Sequence, residues 1–96
     1  MPSGLEVVLS KKAEQDFEDI LNYIKKDFGS VAAVNFKDLI INFLELIGNY
    51  PEIGSLELPD KNIRAFVVHK RLKVFYNIRD KRIIVLRFFD TRQSSL

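Results

Sequence analysis

The chain has 96 residues, 47% of them apolar and 11% aromatic, a length for one domain over residues 1–96 and a composition for a packed core rather than a disordered segment. It contains no cysteine and a single histidine, which excludes a disulfide framework, a thiolate zinc site and a multi-histidine centre, so neither metal nor cofactor is expected. The net charge of +2 conceals a division: residues 1–60 hold five Lys and Arg against eleven Asp and Glu, a net of −6, while residues 61–96 hold ten against two, a net of +8. Such a split points to a surface for a polyanion or an acidic partner, the plainer alternative being strands with a solvated basic face.

Glu6 to Ser10 reads as a short β-branched strand ending at a serine suited to cap a helix. From Lys11 the period changes to steps of three and four through Ala13, Phe17, Ile20, Leu21, Ile24 and Phe28, one face of an amphipathic helix. Its acids come early and Lys25 and Lys26 late, complementing the helix dipole, and Gly29 is placed to end it in a left-handed conformation. Ser30 is then the expected cap of a second helix running to about Tyr50, before Pro51. Ala33, Phe36, Ile40, Phe43, Leu44 and Ile47 line its face. Leu39, Ile41 and Leu46 widen that face, so the helix is expected to pack on two neighbours, a partner-binding patch at Leu39 and Leu46 being the alternative.

Pro51 to Pro59 reads as a loop, broken by its prolines and Gly54. Three strands follow, with turns near Lys70-Arg71 and Asp80-Lys81: Ile63 to His69, Leu72 to Arg79 and Arg82 to Asp90. The second should bury Leu72, Val74, Tyr76 and Ile78 on one face and turn Lys73, Phe75 and Asn77 to the other. The third, with its run Ile83 to Leu86 followed by Phe88-Phe89, reads as a central strand covered on both faces. The order β-α-α-β-β-β implies an α+β fold, a helical hairpin packed on a small antiparallel sheet, with the first strand joining it near the last. No run approaches the ~18 apolar residues of a membrane span and no secretion signal opens the chain, so the cytoplasm is the expected compartment.

Catalytic signatures are few. There is no Gly-rich phosphate loop, nucleophile elbow or Ser-His-Asp set, and the acid pairs Asp16 with Asp19 and Glu14 with Glu18 read as a solvated helix exterior. The basic strands remain. Arg64, His69, Lys70, Arg71, Lys73, Arg87 and Arg92 make a cationic surface near Phe75 and Tyr76, suited to phosphates and stacked bases. Metal-free RNA cleavage there would need cations to stabilise the phosphorane, and His69 alone has an ordinary pKa suited to acid-base work near neutrality, though a lone histidine at a strand end is more often a surface residue.

Val8-Leu-Ser-Lys-Lys-Ala13 leading into Phe17 and Ile20, then Tyr23-Ile24, the Gly29 break, Pro51-Glu-Ile-Gly54, Ile63-Arg64, Lys73-Val-Phe-Tyr76 and Phe88-Phe-Asp-Thr-Arg92 occur in an order and spacing that resemble the RelE/ParE superfamily of type II toxin-antitoxin systems, nearly end to end. The resemblance implies a toxin of a plasmid-stabilisation type of system, neutralised as a hetero-oligomer by a cognate antitoxin. It implies one of two targets: DNA gyrase, inhibited by binding, for ParE-like members, or mRNA cleaved in the ribosome for RelE-like ones. Arg64, Lys73 and Arg92 fall at basic positions of the nucleases, with His69 as a further candidate. Phe66 stands where a second strand lysine is expected, Lys73 replaces an arginine and so lacks its bidentate fork, and no terminal tyrosine or histidine follows the last strand. The ParE branch is therefore the expected one, with gyrase or antitoxin contacts at Arg64, Lys70, Arg71, Lys73, Arg87 and Arg92. The alternatives are a ribosome-dependent endoribonuclease and a member that binds antitoxin without toxicity.

Overall fold

The computed structural model describes residues 4–70 and 72–90, so Arg71 and Arg92 lie outside the described residues. Its elements run β1 (Glu6–Leu9), α1 (Lys11–Phe28), α2 (Ser30–Asn49), β2 (Ser55–Leu58), a 3-10 turn (Pro59–Lys61), β3 (Ile63–His69), β4 (Leu72–Arg79) and β5 (Arg82–Asp90). Five strands form one sheet in the order β1-β5-β4-β3-β2.

The helices follow from their apolar spacing. Ser10 caps α1 by accepting the Ala13 N–H at 3.0 Å, and Ala13, Ile20 and Ile24 are buried. Gly29 has a positive φ of 95° but an extended ψ of 175°, so it ends the helix outside the left-handed helical well that was expected. Its backbone, rather than the Ser30 hydroxyl, occupies the cap of α2, and Ser30 is already helical. Phe36, Ile40, Phe43 and Ile47 of α2 meet Val74, Tyr76, Ile83, Val85 and Phe88 of the sheet in one core. Phe17 bridges the layers, with ring centroids 5.5 Å from Phe36 and 6.2 Å from Phe88. Ile41, assigned to the widened apolar face, is exposed.

The sheet departs from expectation in three respects. It is mixed, because β1 runs parallel to β5 through the pair Val7 with Ile83 and its neighbours, while β2 to β5 are antiparallel. The parallel pairing follows from topology: two helices separate β1 from the later strands, leaving enough chain for a crossover. Within the expected loop, Ser55–Leu58 forms the edge strand β2, every residue of it exposed. Lastly, β5 is covered on one face rather than two. It buries Ile83 and Val85, then changes phase to bury Phe88 and Asp90, because Phe75 pairs with Arg87 and Tyr76 with Val85, leaving Leu86 as the extra residue of a bulge. Without that bulge Phe88 would turn to the opposite face. At the β4–β5 turn both Asp80 and Lys81 take positive φ, the geometry of a two-residue hairpin loop that follows strand twist.

Both outer strands cover only part of their neighbour. β1 pairs with Arg82–Val85 and leaves the rest of β5 bare on that side. β2 pairs with Ile63–Ala65 and leaves Phe66–His69 of β3 bare.

Candidate functional site

The loop Pro51–Gly54 is held by two side chains from the meander. Tyr76, fully buried on β4, donates its hydroxyl to the Pro51 carbonyl at 2.8 Å and accepts the Gly54 N–H at 2.9 Å. Arg64, its cross-strand partner on β3, donates Nη1 to the carbonyls of Gly54 at 2.7 Å and Glu52 at 3.3 Å. Burial pushes the Tyr76 phenol above its ordinary value, partly offset by the Gly54 N–H and the Arg64 charge. Gly54 is required for space: a Cβ there would stand 2.8 Å from both the Ala65 carbonyl oxygen and the Tyr76 hydroxyl. The Pro-Glu-Ile-Gly motif is thus a docked turn that feeds β2 onto β3, with Tyr50 and Ile53 exposed beside it.

Paired residues on neighbouring strands share a face of the sheet, and alternate residues along a strand change face. Arg64 opposes Tyr76, whose side chain is in the core beneath the helices. Lys73 opposes Val67, three positions from Tyr76 along β4, and so lies on the open face, its Nζ 5.4 Å from the Phe75 ring centroid. The two cations matched to the nuclease pattern therefore point to opposite sides of the sheet. Arg87 is engaged elsewhere: Nε donates to Asp16 Oδ2 at 2.6 Å and Nη2 to Oδ1 at 3.0 Å, which raises its pKa further above the ordinary arginine value. His69 and Lys70 are exposed at the end of β3. Phe66, at the position where a lysine was expected, stacks on Phe43 of α2 at 5.5 Å.

Asp16 is the residue sequence reasoning passed over. Besides Arg87 it accepts the Phe88 N–H at 3.1 Å, while Ser10 donates its hydroxyl to the Leu86 carbonyl at 3.1 Å and its N–H to the Val85 carbonyl at 2.9 Å. Together they seal the part of β5 that β1 leaves bare. A signal existed: Asp16 stands three residues after Ala13 and four before Ile20, on the buried side of its helix.

The corresponding stretch of β3 faces a groove. Leu39, Phe43 and Leu46 of α2 and Phe66 and Val68 of β3 line a hollow of about 190 Å³. Leu39 also lines a second cavity of about 370 Å³, which extends past Phe36 and Leu72 to His69 and Asp90 at the end of the sheet. The walls are mostly apolar, with Asn35, Asn42, His69 and Asp90 as the polar exceptions. Among the described residues no group of three or more metal-ligating side chains occurs, and no helix is long and apolar enough to cross a membrane.

The family model described as the ParE toxin of the type II toxin-antitoxin system parDE matches residues 7–94. No curated protein is similar enough in sequence to count as a match. Among solved structures, the chromosomal ParDE toxin-antitoxin system of P. aeruginosa superposes with a TM-score of 0.76 at 17% identity, covering 90% of this chain and 95% of that one. A metal-bound toxin from Helicobacter pylori gives 0.57 at 17%, covering 94% and 98%. The E. coli DinJ-YafQ toxin-antitoxin complex gives 0.57 at 14%, covering 97% and 99%.

Proposed function

The chain belongs to the ParE toxin family of type II toxin-antitoxin systems, and from that premise we propose that it inhibits DNA gyrase by binding it and is neutralised by a cognate antitoxin in a hetero-oligomer. The observation that carries the choice of binding over cleavage is the dispersal of the cations among the described residues. Phosphoryl transfer without a metal needs its positive groups converging on one phosphorane. Here Arg64 is spent on loop carbonyls on the helix side, Lys73 lies on the open face, and Arg87 is paired with Asp16. An exposed Lys70 and the sheet's basic end suit contact with acidic protein surfaces.

Ribosome-dependent cleavage of mRNA is the rival. What favours it is Lys73 beside Phe75 on the open face, a cation next to a ring on which a base can stack. Purified protein in a gyrase supercoiling and cleavage assay, beside in vitro translation with mapped mRNA ends, separates the two. The expected result is loss of supercoiling with no translation-dependent cuts. Cuts that vanish in Lys73→Ala or Arg92→Ala would overturn the proposal in favour of the nuclease, and silence in both assays would leave an antitoxin-binding protein without toxicity.

A further inference from the structure

The two helices meet solvent differently. α1 has a side-chain cap from Ser10, an acid in its first turn and two lysines in its last. α2 has no side-chain cap, no acid in its first turn and no base in its last, so neither end of its dipole is answered within the helix. Its outward face is also apolar, with Val31, Val34 and Ile41 75%, 54% and 59% exposed. At about 100° per residue, Val34 and Ile41 project from the side of the helix opposite Leu39 and its groove. Between them stand Lys37 and Asp38, and Glu45 follows one turn beyond Ile41, all three exposed. None of these charges has an ion-pair partner among the described residues.

We infer that this face is the contact surface for a second copy of the chain, joined through an antiparallel α2–α2 pair about a twofold axis midway between Lys37 and Asp38. A twofold contact must be self-complementary, each pairing occurring twice. This face meets that condition, because residues equidistant from the axis match. Val34 rests on Ile41 of the second copy, Lys37 lies against its Asp38, and Val31 reaches its half-buried Leu44. Glu45 comes to the uncapped first turn of the other α2, where a carboxylate complements the helix dipole and accepts from free N–H groups. An axis one turn toward either end, at Val34 or at Ile41, pairs that residue with itself but leaves the other without an apolar partner. Two 20-residue helices side by side are ~30 Å long and bury ~1,200 Å² or less, the low end for specific interfaces, so the dimer is weak and concentration-dependent. It uses the side of α2 away from the groove and does not depend on the gyrase reading.

Sedimentation equilibrium of the free protein from micromolar to millimolar concentration tests this, with valine and isoleucine methyl shifts followed by NMR over the same range. The expected result is a monomer–dimer equilibrium, with concentration-dependent shifts at Val34 and Ile41 and none along β2. Reversing one charge, by Lys37→Asp or by Asp38→Lys, sets like charges together at two symmetric places and should weaken the dimer roughly tenfold or more. The double variant, Lys37→Asp with Asp38→Lys, exchanges the two partners at constant net charge and should restore association. Ile41→Glu should abolish it. All three positions are exposed, so circular dichroism should report the same fold in every variant. A chain that stays monomeric at millimolar concentration would overturn the inference and leave the exposed valines and isoleucine to a different protein or to none. Single reversals that change nothing, or a double variant that stays dissociated, would overturn it equally. Concentration-dependent shifts confined to β2 would do so as well, by placing self-association at the sheet edge.

Discussion

The margins of the sheet meet the same difficulty in two ways. At β5 the short parallel strand β1 stops at Leu9, and α1 completes the cover with side chains: the Ser10 hydroxyl on Leu86, the Asp16 carboxylate on Phe88 and on the Arg87 guanidinium. At β3 the short strand β2 starts at Ser55, is aligned by the Tyr76 and Arg64 clamp on Gly54, and nothing among the described residues continues its work past Ala65. Backbone groups lose much when left both dry and unpaired, so a margin is either sealed or kept wet for use. The β5 margin is structural. The β3 margin keeps the outer backbone groups of Phe66–His69 without a strand or side-chain partner among the described residues.

The contrast breaks most sharply at Gly54. Gly54→Val should displace β2 and extend the bare region along β3, because its Cβ meets an Ala65 carbonyl and the Tyr76 hydroxyl at 2.8 Å. The expected loss is about 3 kcal/mol, or a fall in Tm on the order of 15 °C, measured by thermal denaturation. Asp16→Ala converts the sealed margin into an open one. Losing the Arg87 pair and the Phe88 bond, it should cost about 2 kcal/mol, with faster exchange of the Phe88 amide; an unchanged Phe88 amide would mean that α1 does not seal β5.

Tyr76→Phe sharpens the role of the clamp. At neutral pH it should cost about 1–2 kcal/mol, since the Gly54 N–H and Pro51 carbonyl lose their partner. The folded phenol titrates above its unfolded value of 10.0 because burial penalises phenolate. Its contribution is therefore complete below about pH 10 and disappears as pH climbs through the raised folded value. The stability gap between wild type and Tyr76→Phe should close over that alkaline range in denaturant titrations. A gap that stays constant would contradict the bonding assigned to the hydroxyl.

These features differ in how far they were readable from the residues. Both helices follow from apolar steps of three and four, and the meander from alternation along Leu72 to Ile78, where burial matches the pattern. β2 left no such mark, because all four of its residues are exposed and no periodicity can distinguish them from loop. The β5 run Ile83 to Leu86 looked like burial on both faces; a bulge at Leu86 produces the same apolar string while changing which face Phe88 occupies. Arg64 looked like a surface cation because its acceptors are backbone carbonyls 10 and 12 residues away, which carry no side-chain signature. The surface widening at Leu39 and Leu46 was visible, but the groove it forms depends on where β2 stops pairing. Arg71 and Arg92 lie outside the described residues, and their place in either functional reading rests on sequence.

Amide hydrogen exchange in the free protein tests the difference between the margins most directly. The outward-facing amides within Phe66–His69 should exchange orders of magnitude faster than the Phe88 amide, which Asp16 holds. Protection along the whole of Phe66–His69 equal to that of Phe88 in the free protein would contradict the account, because the β3 edge would then already be sealed.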